Sequence, residues 1–315
     1  MAACGTVILT GGAGFIGSHT ARLLGEKGCR VVVVDIREPP ARPAGDTTYL
    51  RLDVSDWRGL REGLAALRGD AVDAVIHLAA VVSVEEARRS PRRTVVVNVE
   101  GTLNMLEAAR LLDARVFVYA SSAAVYGEPL RLPVDEEHPL RPINLYGDTK
   151  LMGEMLVKRY SSDYGLKAAV LRYFNVYGPG MRGGPYAGVI HAFITRLLRG
   201  QPPVIYGDGR QTRDFVHVRD VARANYAALA SGAGGVFNIG TGRETSINDL
   251  YRILCGIVGR CPPPVYAPPR PGDVRRSVAS IERAAKTLGW RPGIGLEHGL
   301  RETVEWYRRR LGLRG

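Results

Sequence analysis

Tyr146 and Lys150 stand four residues apart in the run Tyr146-Gly147-Asp148-Thr149-Lys150. On a helix beginning at Leu145 both side chains leave from one face. An ammonium beside a phenol favours the phenolate, lowering a pKa that is ordinarily ~10. Such a phenol is a base usable near neutral pH. Upstream lies Ser121-Ser122-Ala123-Ala124-Val125-Tyr126-Gly127. A serine hydroxyl brought in from a strand end there shares the proton with the phenol. The chemistry on offer is proton transfer at a substrate hydroxyl. A surface Tyr and Lys that happen to be four apart are the plain alternative, and the elements before them argue against it.

Those elements begin with a short buried-strand pattern, Thr6 to Leu9. It runs into Thr10-Gly11-Gly12-Ala13-Gly14-Phe15-Ile16-Gly17. Phe15 to Leu24 carries apolar residues at helical spacing, and Gly25 and Gly28 offer a stop. Val31 to Asp35 is a second strand ending in an acid. Glycines at 11, 14 and 17 let backbone approach a pyrophosphate, which rests on the helix N-terminus. Asp35 is placed to accept from a ribose 2′-hydroxyl and to repel a 2′-phosphate. The order strand, glycine turn, helix, strand, acid therefore favours NAD over NADP. Arg37 is the residue that offsets this repulsion in part.

Residues 38–48 read as a Pro- and Gly-rich loop. Leu50 to Val54 reads as a third strand, which puts Asp53 and Val54 near an adenine. Ser55-Asp56 caps a helix to Leu67. Ala74 to Ala80 reads as a fourth strand ending in small residues, on which a cofactor ribose can lie. His77 inside it reads as a core histidine, not a catalyst. Thr94 to Leu112 reads as a long helix bearing Asn98, and Arg115 to Ala120 as the fifth strand, delivering Ser121 and Ser122. Ala168 to Val176 is a sixth strand. Strands alternating with helices imply a doubly wound parallel sheet, with ligands beyond the carboxyl ends of its strands. Past Val176 the rhythm weakens. A helix at Val189–Arg199 is expected, then a helix Asp220–Ala230 and a strand Val236–Ile239 that look like a return to the sheet. Helices near 246–258, 280–288 and 296–310, with the Pro-rich stretch Cys261–Pro271, suit a smaller lobe. The expected division is 1–174 with 214–240 for the sheet domain, and 175–213 with 241–315 for an interleaved α/β substrate domain.

The chain has 315 residues, 45% hydrophobic and 23% charged, an ordinary globular composition. Its net charge of +12 comes from 43 basic and 31 acidic residues. The basic residues are mostly scattered arginines; an anionic substrate explains the surplus as well as a nucleic-acid partner does, a solvated Arg-rich surface is the plain alternative, and no nucleic-acid partner is expected. Cys4, Cys29, Cys255 and Cys261 show no Cys-x-x-Cys pair and no zinc-spaced His. They read as reduced thiols, with no metal site expected. The chain enters a strand-like run without a leader pattern, and no apolar run approaches the ~18 residues of a membrane span. A cytoplasmic protein with no membrane partner is expected.

Together these stretches resemble the extended short-chain dehydrogenase/reductase family, and within it the nucleotide-sugar 4-epimerases. The resemblance rests on TGGAGFIGSH, HLAA, NVEGTLNMLEAAR, SSAAVYG, YGDTK, RYFNVYGP, GDGRQTRDFVHVRD, NIGTG and RPGD. It implies a Rossmann sheet domain, NAD as cofactor, a UDP-sugar as substrate and a homodimer as the assembly. By this resemblance Tyr146 is the base on the sugar 4-hydroxyl, Ser122 bridges to that hydroxyl, and Lys150 holds the nicotinamide ribose and depresses the Tyr146 pKa. Gly11, Gly14, Phe15, Ile16, Gly17, Asp35, Ile36, Asp53, Val54, Leu78, Ala79, Ala80 and Asn98 match cofactor-contacting positions. Asn175, Arg213, Arg270 and Asp273 match positions that grip the nucleotide and its diphosphate. Ser277 matches a position on the C2 side of the sugar, where relatives that exclude acetamido sugars carry a large aromatic. Dehydratases and decarboxylases that resemble this family place an acid where this chain has Ala123-Ala124, so neither reaction is implied. Glucuronate epimerases put hydroxyls there, which disfavours a glucuronate substrate; Arg182 is the residue that offers it a charge. The implied reaction is reversible 4-epimerisation of a UDP-hexose through a 4-keto sugar.

Overall fold

Val31 to Val34 are all but inaccessible to solvent. A run of β-branched residues buried on both faces forms a central parallel strand, not a half-wet one. Around it the computed structural model, which describes residues 5–38, 45–67, 69–181, 183, 188–270 and 272–313, builds a parallel sheet. Its strands are β1 (Thr6–Thr10), β2 (Arg30–Asp35), β3 (Thr47–Arg51), β4 (Val72–His77), β5 (Val116–Ser122), β6 (Lys167–Tyr173) and a later strand, Gly235–Ile239. The order across the sheet is Gly235–Ile239, β6, β5, β4, β1, β2, β3. The chain moves outward from β1 in one direction, then restarts beside β1 with β4. This is the doubly wound arrangement, and the reversal beside β1 opens a crevice at the carboxyl edge. Cys4, residues 39–44, Arg182 and Pro271 lie outside the described residues.

Helix α1 (Phe15–Glu26) packs on one face of the sheet, with Val218–Ser231 beside it. Ala21, Leu24, Val221, Ala224 and Ala228 belong to that face's core. The opposite face carries Trp57–Gly63, Gly101–Leu111 and Leu145–Tyr164, over Val32, Val75, Phe117 and Val170. A separate core joins Ile190, Phe193, Leu197, Leu250, Leu254, Leu300 and Val304, from the helices Val189–Leu198, Ile247–Val258 and Leu296–Arg310. The later helix Glu282–Leu288 differs from expectation. Ala284, Leu288 and Trp290 pack in the core of the sheet, and the Trp290 indole donates to the Asp220 carbonyl at 3.0 Å. Phe215 in turn packs in the separate core.

Other local differences have identifiable causes. The third strand ends at Arg51, and Asp53 beyond it accepts from the backbone and hydroxyl of Ser55 in a tight turn. The long helix expected from Thr94 is interrupted by a wide turn at Val96–Glu100, between the helices Pro91–Val95 and Gly101–Leu111. The cysteines are corrected too. Cys255 and Cys261 form a disulfide with Cα atoms 4.8 Å apart, and Cys29 is disulfide-bonded as well. The helix carrying Cys255 ends at Val258, and Gly259 at φ +78° reverses the chain, which brings Cys261 back to it. The argument from reduced thiols to a cytosolic compartment lapses with this pairing. Among the described residues no helix is long and apolar enough to cross a membrane.

Candidate active site

The glycine turn forms because no side chain fits. Gly11 has φ +70°, and a Cβ there would stand 2.9 Å from the Ala79 backbone nitrogen. A Cβ on Gly17 would stand 2.1 Å from the Gly11 carbonyl oxygen. The first turn of α1 therefore lies directly on the strand end. Its N-terminus, capped by no side chain and carrying no acid, opens at the carboxyl edge of the sheet. That is a cradle for an anion such as a pyrophosphate. Phe15 and Ile16 begin this helix, and Gly14 is its N-cap. Asp35 is buried at the end of β2 and accepts from Ala13 N and Arg37 N, both at 3.0 Å. It thus clamps the glycine turn. The Arg37 guanidinium lies 3.7 Å from the same carboxylate, and Ile36 is exposed beside it. These residues fit a dinucleotide carrying a free ribose hydroxyl.

The loop after β4 is held by a hydrogen-bond chain. The Thr10 hydroxyl accepts from Leu78 N and Ala79 N, each at 3.1 Å. Its own proton therefore goes to His77 Nδ1, 2.7 Å away. That leaves Nε2 to donate to the Thr102 hydroxyl at 3.2 Å, which donates on to the Asn98 carbonyl. Burial pushes His77 down to about 3, so it is a neutral core residue. Asn98 is committed within the fold: its carboxamide takes Val81 N at 2.7 Å and donates to Val81 O and the Thr149 hydroxyl, both at 3.0 Å. It ties the loop holding Ala79 and Ala80 to the helix of Tyr146. Val54 is held likewise, its carbonyl accepting from Asn104.

Ser122 is the last residue of β5, and Tyr146 lies in the first turn of Leu145–Tyr164. Asn144 starts that helix by accepting from Gly147 N at 2.9 Å. The Ser122 hydroxyl accepts from Ala124 N at 3.2 Å and is the neighbour that favours the Tyr146 phenolate. Lys150 departs from expectation. Its Nζ donates to the Ala120 carbonyl at 2.8 Å and sits 5.2 Å from the Tyr119 ring centre. Burial dominates Tyr146 and raises its pKa above the usual phenol value; only the Ser122 bond pulls it down. Burial also lowers Lys150 to about 8, opposed by Glu154. In this structure, then, Ser122 rather than Lys150 polarises the phenol.

The second lobe faces this edge with a set of charged groups. Arg213 is ion-paired with Asp273, and its other nitrogen donates to Thr212 O at 2.7 Å. The Arg270 guanidinium lies 3.8 Å from the centre of the Tyr206 ring. Asn175 donates to the Asp214 carbonyl at 3.2 Å. Ser277 is half-buried. Its neighbours are each held in an ion pair, Arg275 with Asp208 and Arg276 with Glu244. Sequence reasoning missed Asp214. This inaccessible carboxylate accepts from Thr241 N, the Thr241 hydroxyl, Gly242 N and Ala279 N. It gathers the Arg213, Gly242 and Ser277 segments at one point. Its position next to Arg213 was the only available hint.

A sequence profile described as the NAD dependent epimerase/dehydratase family matches residues 7–240. The UDP-glucose 4-epimerase of Thermotoga maritima, solved with UDP-glucose, superposes with a TM-score of 0.91 at 40% identity, covering 97% of this chain and 99% of that one. The Thermus thermophilus UDP-glucose 4-epimerase, in complex with NAD, gives 0.88 at 37% identity over 96% and 99% of the two chains. A UDP-N-acetylglucosamine 4-epimerase from Methanobrevibacter ruminantium, in complex with UDP-N-acetylmuramic acid, gives 0.89 at 33% identity over 97% and 98%.

Proposed function

The chain belongs to the NAD dependent epimerase/dehydratase family, and from that premise we propose that it interconverts a UDP-hexose and its 4-epimer. It is an isomerase that works with NAD on a UDP-sugar. The observation that carries the hexose reading is the trio at the end of β5, flanked by Ala123-Ala124 with no acid in the segment. Bound at the glycine turn, NAD supplies reversible hydride acceptance at a carbinol carbon. The residues of the chain do the rest. Tyr146 takes the proton of the sugar 4-hydroxyl, relayed by Ser122, and returns it to the C4 oxygen when the turned 4-keto sugar regains hydride at C4 on its opposite face. Arg213 and Arg270 are assigned to the diphosphate, where a guanidinium forks onto two oxygens. We assign residues 1–174 with 214–240 to the cofactor and the remainder, apart from 281–290, to the nucleotide-sugar.

Substrate choice is tested by incubation with several UDP-sugars and chromatography of the products. Conversion of both UDP-glucose and UDP-N-acetylglucosamine is expected, since Ser277 is small and Arg275 and Arg276 beside it are engaged in ion pairs with Asp208 and Glu244. Ser277→Tyr should lower the acetamido activity relative to the glucose activity by about tenfold or more, because a clash outweighs the ~1–3 kcal/mol of one lost contact. An unchanged ratio would remove Ser277 from that pocket. Turnover of UDP-glucuronate alone would overturn the hexose reading.

We further propose a homodimer. Val95, Leu103, Leu111, Met152 and Met155 are left exposed on the two packed helical stretches 91–111 and 145–164. An apolar surface shared by two helices is what a twofold interface uses. Sedimentation should give twice the chain mass, and Met155→Glu should shift it to the monomer. A monomeric parent protein would refute the assembly.

A further inference from the structure

Beneath the trio lies a buried ionic network that the proposed chemistry does not use. Glu154 and Arg172 are both buried and pair through two bonds, at 2.9 and 2.7 Å. The same carboxylate accepts from the Ser121 hydroxyl at 2.5 Å. Arg172 also donates to the Tyr126 hydroxyl at 2.8 Å and to the Glu136 carbonyl at 3.2 Å. Tyr126 donates to Asn238, whose amide nitrogen donates to the Val134 carbonyl. Val134 in turn pairs with the backbone of Val278 and Ser280, on either side of Ala279. The network thus runs from the catalytic helix under the sheet to the segment that carries Ser277.

We propose that Glu154 is a positioning residue for the chemistry at Tyr146, locking the catalytic helix to the end of β5. This rests on the reading of Tyr146 and Lys150 given above. Glu154 is one helical turn beyond Lys150 and two beyond Tyr146, so all three share a face. Its hydrogen bond is to Ser121, the residue before Ser122. The carbonyl that holds Lys150 belongs to Ala120, the residue before that. One carboxylate therefore sets the spacing between the element carrying the phenol and the element carrying the serine. Proton transfer between such groups is sensitive to displacements well under an ångström. A buried ion pair is in general a poor way to gain stability, because its desolvation cost offsets the attraction. A positional role accounts for its location better than a stabilising one does.

The charge matters as well as the spacing. Lys150 is faced by the Tyr119 ring from β5, neutral His77 from β4, Tyr146 and Glu154 from its own helix, and Arg172 from β6 behind Glu154. Glu154 is the acid in that set. Its negative charge raises the Lys150 pKa against burial. Replacing it with glutamine leaves Arg172 uncompensated and pushes Lys150 lower. Lys150 is assigned here to the nicotinamide ribose as an ammonium donor, so its deprotonation would cost activity at a lower pH on the alkaline side.

The test is the pH dependence of kcat for the parent, Glu154→Gln, Ser121→Ala and Tyr146→Phe proteins. Glu154→Gln should lose about tenfold in kcat, with its alkaline limb ~1 pH unit lower and its NAD content unchanged. Ser121→Ala keeps the ion pair, so its kcat should fall about threefold or more with the limb in place. If Glu154→Gln matches the parent in both respects while Tyr146→Phe is inactive, the positioning role is overturned and the site reading stands. If Glu154→Gln does not fold, Ser121→Ala decides, and parental kcat in that variant refutes the proposal. An active Tyr146→Phe enzyme overturns both readings.

Discussion

Replacing Tyr146 with phenylalanine should lower turnover by ~10²–10⁴-fold, the usual cost of losing a general base, while the protein still purifies with NAD. The phenol is the group assigned to move the proton, and Ser122 at the end of β5 is the neighbour that favours its anion. It holds no part of the glycine cradle, which is made by Gly11, Gly17 and the first turn of α1. Removing it therefore separates chemistry from cofactor retention. Stability should change by no more than about 1 kcal/mol, the net worth of an ordinary hydrogen bond. Turnover is measured with UDP-glucose, and the nucleotide released on denaturation is identified by mass. Activity within about tenfold of the parent would remove Tyr146 from its role. Recovery of mostly NADP would show that Arg37 outweighs Asp35 at the adenosine ribose.

Asp214→Ala should unsettle the substrate lobe and lower stability together. The carboxylate is inaccessible and accepts four hydrogen bonds from Thr241, Gly242 and Ala279. Alanine leaves those donors without a partner, and each buried unsatisfied donor costs ~1–3 kcal/mol. Since Thr241 and Gly242 are partly open to water, a total of about 3–5 kcal/mol is expected, read from urea unfolding. Arg213, the adjacent residue, and Ser277, two residues before Ala279, lose their common anchor. KM for the UDP-sugar should rise by about tenfold or more as the assigned diphosphate clamp loosens. A variant as stable as the parent, with unchanged KM, would show that Asp214 does not organise this lobe.

Much of the cofactor half was legible in sequence because its logic is local. Strand, glycine turn, helix, strand and acid follow one another between Thr6 and Asp35, and Gly14 and Gly17 both lie against the Gly11 carbonyl a few residues away. The spacing of Tyr146 and Lys150 likewise sets a shared helical face whatever surrounds it. The order of strands across the sheet is a different matter. It places Gly235–Ile239 against β6 and so brings Asn238 to Tyr126. Side chains far apart in the chain found partners that no spacing announces: Glu154 with Arg172, Asn98 with Val81 and Thr149, and Arg213 with Asp273. The Lys150 ammonium met a backbone carbonyl of β5, which lies off its helix, and burial moved the Tyr146 phenol opposite to the direction its neighbour alone implied. Even the Cys255–Cys261 pair depended on a reversal at Gly259. Backbone course follows from neighbours in sequence, whereas desolvation and side-chain pairing depend on what the fold brings alongside. The first was determined by the sequence read alone, and the second was decided only by the tertiary structure.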